Sequence, residues 1–401
     1  MPIAEIPYGC YWSTPFVKWQ GSLAHLNSIE FAAWVCAREL KRRDLPVDRI
    51  DHAILGITVL QHHSFYGLPW LTGLAGLRAV TGQTLSQACA TGVRVILSGA
   101  QEIQSGLSQT ALLVTADRCS NGPHVYYPEP NGPGGTGTHE DVVLDSFSCD
   151  PLGRHSMLQT AENVARKHSF STQQQHEVVM QRLQQYRAAL ADESHFQRRY
   201  MTLPFEVPTR NLKKIQASIS GDEGVFESTA EGMAKLRPIE KDGTVTFAGQ
   251  THPADGNAAM IVATADQAQA MSREPAIRIE LAGFGQSRAD LGFMPEAPVA
   301  AAAAALKQAN INFKQLAATK THNPFAVNDL VFSQGTGIAL DRMNNYGCSL
   351  IWGHPQAPTA LRSVIELIEE LVLRGGGYGL FSGCAAGDSA MAVVLKVSQR
   401  S

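Results

Sequence analysis

The feature that most constrains this chain is a set of short, continuous apolar runs set between turn residues. HAILGITVLQ (52–61), ALLVTA (111–116), DGNAAMIVAT (255–264) and SAMAVVLKV (389–397) are apolar on successive positions rather than alternate ones. A run of this length with no polar face reads as a strand covered on both sides. Between the runs lie helical patterns. Leu23–Arg43 is amphipathic, Val93, Ile96, Leu97, Ala100 and Ile103 recur at helical spacing, and Pro358–Arg374 is strongly helical with its proline in the first turn. Strands alternating with helices predict layered α/β domains with a largely parallel sheet. With 401 residues the chain exceeds one simple core, so two or three domains are expected.

Composition narrows the function classes. The hydrophobic fraction is 44% and the charged fraction 17%, values of a globular protein. A net charge of −3 gives no global attraction to nucleic acid, and any phosphorylated ligand must be held by local charge. No stretch approaches 18 uncharged apolar residues, and no membrane span is expected. The N-terminus lacks the basic and apolar segments of a signal peptide. The seven cysteines, Cys10, Cys36, Cys89, Cys119, Cys149, Cys348 and Cys384, are odd in number and none are spaced two residues apart. That pattern predicts a reducing, cytoplasmic setting, with no disulfide framework and no zinc site.

Along the chain, Asn121–His139 is dense in glycine and proline and reads as loop. Helices are predicted over Met157–His168 and Thr172–Asp192, the second opened by a Ser171/Gln174 capping box. Glu206–Gly243 reads as irregular and polar, with a basic cluster at Arg210, Lys213 and Lys214. The expected division is 1–118 plus 248–270 as an N-terminal half, 119–247 as an inserted loop domain, and 271–401 as a C-terminal half. A weak repeat supports two similar halves. Cys89 opens a helix followed by a strand, and His354 does the same at a similar distance.

Four clusters place a reactive side chain among small or rigid neighbours: Ala88-Cys89-Ala90, His322-Asn323-Pro324-Phe325, Gly353-His354-Pro355 and Gly383-Cys384-Ala385. A cysteine at a helix N-terminus is expected to lose its proton more easily, and the thiolate is the nucleophile. A thiol nucleophile needs a base, usually histidine, and acyl transfer needs donors aimed at the developing oxyanion. Each cluster alone fits a structural role equally well: a core thiol, a turn cap, a helix start, a tightly packed hairpin.

Taken in order, the segments resemble the thiolase family. SQACATG (86–92) is similar to its nucleophile segment. ARELKRRDLPVDRIDHAILGITV (37–59) is similar to its first helix–turn–strand, and TAENVA (160–165) to the segment of that sequence. FAGQTHPADGNAAMIV (247–262), Gly353-His354-Pro355 and GYGLFSGCAAGDSAMAVV (377–394) resemble its later signatures. The resemblance implies an α/β thiolase-like fold, two layered α-β-α-β-α halves about a pseudo-twofold with an inserted loop domain. It implies CoA-dependent cleavage of a 3-ketoacyl-CoA, or the reverse condensation, through an acyl-cysteine. Cys89 would be the nucleophile, His354 its base, and Cys384 the acid and base at the α-carbon. His322, in place of the family's asparagine, would join His354 in one oxyanion hole. The backbone N–H groups of Cys89 and Ala386 would make the other.

The resemblance further implies CoA contacts from Arg210, Lys213, Lys214, Met157, Ala248, Gly249 and Phe325. CoA is a substrate, no cofactor or metal is expected, and a homodimer or homotetramer is. Two departures stand out. Ala386 replaces a glycine and would be strained if its φ were positive. Gln356, Ala357, Pro358 and Thr359 replace the glycine-rich stretch after Gly353-His354-Pro355. A decarboxylating condensing enzyme with Cys89, His322 and His354 as its triad is the alternative, and a non-catalytic thiolase-like subunit the other.

Overall fold

The computed structural model describes residues 3–400. Two mixed sheets flank a pair of buried helices. In the first sheet the order is Tyr11–Ser13, Ala254–Ala263, Thr110–Arg118, His52–Gly56, Thr81–Leu85, with Val17–Lys18 also against Ala254–Ala263. In the second it is Ile277–Arg288, Ser389–Gln399, Gly377–Ala385, Leu316–His322. The largely parallel sheet expected from the sequence is corrected here. His52–Gly56 runs parallel to both its neighbours, but Ala254–Ala263 and Ser389–Gln399 return antiparallel. Continuous apolar runs report burial on both faces, which these return strands share with parallel ones, and say nothing of direction.

The two sheets repeat one pattern. His52–Gly56 lies parallel to Thr110–Arg118, which pairs antiparallel with Ala254–Ala263. Leu316–His322 lies parallel to Gly377–Ala385, which pairs antiparallel with Ser389–Gln399. In the second copy the last two strands are joined by a short turn, and in the first by residues 119–253.

Between the sheets the helices Thr91–Ser105 and Ala357–Leu373 pack together. Gly92 permits the approach: a Cβ there would lie 2.5 Å from the Leu361 nitrogen and 2.9 Å from the Ala357 oxygen. Every residue from Ala357 to Leu371 is buried, as expected of a helix covered all round.

Element boundaries follow local chemistry. The first helix is shorter than its apolar pattern, starting at Ser28 because Asn27 accepts from the N–H groups of Ile29 and Glu30. Met157–His168 has the expected ends, with Ser156 and Gln159 forming a capping box. The next helix runs Thr172–Arg198, but its backbone leaves helical values over Ala191–Ser194, where the sequence pattern faded. Two segments read as loop contain hairpins: His124–Tyr127 with Thr138–Asp141, and Phe205–Pro208 with Ile215–Ile219. Their strands are short and three of the four bury no residue, so no apolar run marks them.

Candidate active site

Cys89 sits where the first sheet hands the chain to the helix Thr91–Ser105. Ala88 takes a left-handed φ of 45°, and the Thr91 hydroxyl bridges the Gln87 N–H at 2.8 Å and the Ala88 carbonyl at 2.7 Å. This tight turn aims the sulfur out of the helix end and into a cavity of about 500 Å³. Small residues are needed because the second helix is packed alongside.

That helix brings the base. His354 Nε2 lies 3.2 Å from Cys89 Sγ, and its Nδ1 contacts the Thr359 hydroxyl at 2.6 Å. A donated Nδ1–H leaves Nε2 free to take the thiol proton. Gly353 precedes it at φ 92°, where a Cβ would meet His252 at 2.7 Å. Cys384 lines the same cavity at the end of its strand, and the Asn328 amide donates to its sulfur at 3.4 Å. His322 ends the strand Leu316–His322 with its ring centroid 4.2 Å from that of His354. Its Nδ1 meets Ser349 Oγ at 2.9 Å, and its buried Nε2 has no hydrogen-bond partner among the described residues.

The sequence expectation of an acidified Cys89 thiol is corrected. Burial pushes it up to about 11 and Asp117 adds to this, while the N–H groups of Ala386 and of Cys89 itself, both directed at the sulfur, pull the other way. Two backbone donors and a helix end do not outweigh the loss of water. The resting nucleophile is therefore a neutral thiol that must hand its proton to His354 as it reacts. Burial, and the neighbouring His322, hold His354 well below the usual histidine range. Burial alone lowers His322 to about 3. Burial and the Cys89 sulfur beside it raise Cys384. The whole constellation rests uncharged.

The strain expected at Ala386 is also corrected. Ala386 is not among the left-handed residues, and the turn is made instead by Gly387 at φ 76° and Asp388 at φ 55°. Among the predicted CoA contacts, Met157 and Phe325 line the cavity. Ala248 and Gly249 lie in a single helical turn just before Gln250 and Thr251, which line it. Arg210, Lys213 and Lys214 are not part of the cavity wall; they border a separate, open depression on the 209–214 turn.

Four contributors were not read as site residues from the sequence: Asp117 and Ser349 carry no signal there, and Gln356 and Thr359 stand out only as replacements after Gly353-His354-Pro355. Gln356 Oε1 lies 3.2 Å from Cys89 Sγ. Asp117 accepts the N–H groups of Thr58, Val59 and Ala357 at 2.8 to 2.9 Å, tying the loop after His52–Gly56 and the start of the helix Ala357–Leu373 to one carboxylate. Only its distance in space from Ala357, invisible in the chain, could have announced it. The donor atoms of Cys89, His322 and His354 all lie within 4.8 Å of one another. The fold thus gathers a possible ion-binding group that chain spacing does not show.

This arrangement pairs a thiol with a base, adds a second thiol across the cavity, and aims two backbone donors at the sulfur. The thiolase N-terminal domain model matches residues 12–266 and the thiolase C-terminal domain model residues 276–397. The chain belongs to the thiolase family. Human mitochondrial 3-ketoacyl-CoA thiolase is 29% identical over 394 residues, covering 96% of each chain. Acetyl-CoA acetyltransferase of Pseudomonas aeruginosa is 27% identical over 381 residues, covering 94% of this chain and 95% of its own. The crystal structure of the human mitochondrial 3-ketoacyl-CoA thiolase superposes with a TM-score of 0.90 at 26% identity, over 99% of this chain and 100% of that one.

Proposed function

We propose that this thiolase cleaves a 3-ketoacyl-CoA with CoA, giving acetyl-CoA and a shortened acyl-CoA, and runs the reverse condensation on the same site. The observation that carries this reading is the second thiol, Cys384, on the wall of the cavity that holds the Cys89–His354 pair. A condensing enzyme that decarboxylates its donor has no need of a group at that place. It is an acyltransferase, as are the relatives named above.

In the cleaving direction His354 Nε2 takes the Cys89 proton and the sulfur attacks the keto carbon. The bond between the α- and β-carbons then breaks, leaving an acyl-Cys89 and the enolate of acetyl-CoA. Cys384 protonates that enolate. The thiol of a fresh CoA gives its proton to Cys384 and attacks the acyl-Cys89, and the released Cys89 thiolate takes back the proton held on His354. The N–H groups of Cys89 and Ala386 suit the oxyanion formed at the acylated sulfur, and His354 with His322 the enolate oxygen. Thiolysis is the thermodynamically favoured direction, which supports a degradative role on fatty acyl chains.

The basic turn with Arg210, Lys213 and Lys214 supplies the local positive charge that CoA phosphates need, outside the acyl cavity. The sheet edge Thr81–Leu85 pairs on one side only, and Phe65 and Tyr66 nearby in the chain are exposed at 95% and 65%. Those features support a homodimer, or a tetramer of two such dimers, measurable by light scattering on the eluting protein. All seven cysteines are free, which suits a reducing compartment such as the cytoplasm. No described helix is long and apolar enough to cross a membrane.

The decisive experiment is acyl trapping. Incubation with acetyl-CoA should add one acetyl group, mapped by mass to the Cys89 peptide, and Cys89→Ser should abolish it. Cys384→Ala should still be acylated but lose α-proton exchange on acetyl-CoA. Acylation elsewhere, or exchange undiminished in Cys384→Ala, would refute these roles.

A further inference from the structure

The turn that enters the second central helix has an unusual backbone. Gln356 has φ 61° and ψ −107°, outside the regions open to a residue with a Cβ. Such strain persists only where the surroundings impose it. Here the Asp117 carboxylate takes the Ala357 N–H at 2.9 Å, and Pro358 fixes the first helical turn. What the kink achieves is the placement of one side chain. The Gln356 carboxamide, 6% exposed, turns back into the cavity with Oε1 3.2 Å from Cys89 Sγ. The same sulfur lies 3.2 Å from His354 Nε2. Imidazole and amide oxygen thus meet at one sulfur.

We propose that Gln356 is a further catalytic residue of this site, whose carboxamide oxygen holds the His354 N–H after the Cys89 proton has moved to it. The proposal rests on Cys89 being the acylated nucleophile. In the step, the S–H bond of Cys89 breaks and an N–H bond forms at His354 Nε2, giving a thiolate and an imidazolium with no net change of charge. When the sulfur attacks the carbonyl carbon, its negative charge passes to the substrate oxygen. The imidazolium N–H then loses the anion it faced until the enolate oxygen forms, and Gln356 Oε1 is the protein acceptor over that interval. Burial and the His322 ring oppose an imidazolium. The His322 ring is stacked obliquely 4.2 Å away, and the other titratable groups near Cys89 and His354 are the buried Cys119, Cys384 and Asp117. A neutral acceptor stabilises the cation without adding a charge that would repel the thiolate.

Two substitutions separate the amide from the kink. Gln356→Leu keeps the bulk and the strain but removes the acceptor, and Gln356→Gly removes both. Cys89 reactivity is read from iodoacetamide alkylation against pH, mapped to the Cys89 peptide because Cys149 is exposed. Both variants are expected to alkylate about ten-fold more slowly at neutral pH, a shift of about one unit in the profile. Acyl transfer should fall in kcat/KM by at least about ten-fold. Gln356→Gly should melt no lower than the unaltered protein, since it relieves the left-handed backbone, so its lost reactivity reports the amide. Alkylation profiles of both variants that coincide with the unaltered one would overturn the role of Gln356. If the unaltered protein takes no acyl group on Cys89, it is the reading of the nucleophile that fails instead.

Discussion

At the scale of single residues, the site works by keeping its groups neutral until substrate arrives. Cys89 is pushed up to about 11 and His322 lowered to about 3, both chiefly by burial. The His322 effect has a readable sign. Above pH about 6.5 the ring is neutral in both folded and unfolded chains and carries no pH-dependent term. Between about 6.5 and about 3 the unfolded chain binds a proton that the folded one refuses, so stability falls as the pH falls across that window. Asp117, raised to about 7, and Asp255, raised to about 6, by burial, tilt the whole-protein curve the other way. The comparison must therefore be a difference. The melting temperature of His322→Asn relative to the unaltered protein should rise steadily as pH is lowered from 6.5 toward 4, and stay level above 7. A constant difference across pH 4 to 8 would show that His322 takes up its proton alike in the folded and unfolded chains, so that burial does not lower it. The tautomer of His322 matters as well, since a bare Nε2 cannot donate to an enolate oxygen. Ser349 Oγ, which contacts both His322 Nδ1 and Asn323 Oδ1, can set it by giving its proton to one or the other.

At the scale of elements, catalytic geometry is the geometry of two helix starts. Gly92 is the point where they meet. A methyl there would press on the Leu361 nitrogen, the Ala360 side chain and the Ala357 oxygen, and backbone cannot move aside as a flexible side chain would. Gly92→Ala is expected to lower stability by about 1–3 kcal/mol and to cut kcat much more than it raises KM. The check is a denaturant titration beside steady-state kinetics. Unchanged kcat with lowered stability would mean that Cys89 and His354 do not depend on this contact. Much of this was legible in the sequence. The sequence placed Met157–His168 end for end, a Ser171/Gln174 capping pair placed the start of the next helix, and a proline in the first turn placed the helix after His354 to within a residue. The four clusters Cys89, His322, His354 and Cys384 stood out because tight turns require small neighbours. The hairpins of the 119–253 segment did not, because exposed strands carry no burial pattern. Nor did Asp117, and Gln356 stood out only as a replacement after Gly353-His354-Pro355; their roles arise from side chains of distant elements, Asp117 and Ala357 being 240 positions apart.

At the scale of the whole molecule, the 119–253 segment is joined to the core through buried charge. The helix Ala357–Leu373 carries Arg362, Glu366 and Glu369 into the interior, and each finds a partner from elsewhere. Arg362 meets Asp222 at 2.6 and 2.8 Å, Glu366 meets Lys320 at 2.9 Å, and Glu369 meets Arg199 at 2.6 Å. The Arg362 guanidinium also lies 4.4 Å from the Trp352 ring and 4.7 Å from that of Phe16. Asp222 additionally accepts the Phe16 N–H at 2.7 Å and the Tyr186 hydroxyl at 2.9 Å. One carboxylate therefore joins the N-terminal strands, the long helix of the 119–253 segment and the central helix whose start holds His354. Such a network specifies one docking of the segment, because removing a single partner strands a charge away from water. Asp222→Ala leaves Arg362 with only Glu366, and is expected to cost about 3–5 kcal/mol, measured as a loss in denaturant midpoint. Asp222→Asn keeps the shape and the hydrogen-bonding oxygen but removes the charge, and should cost less than Asp222→Ala. If the two substitutions cost the same small amount, the pair with Arg362 contributes little, and the segment is held by its apolar contacts around Phe16, Tyr186 and Trp352 instead.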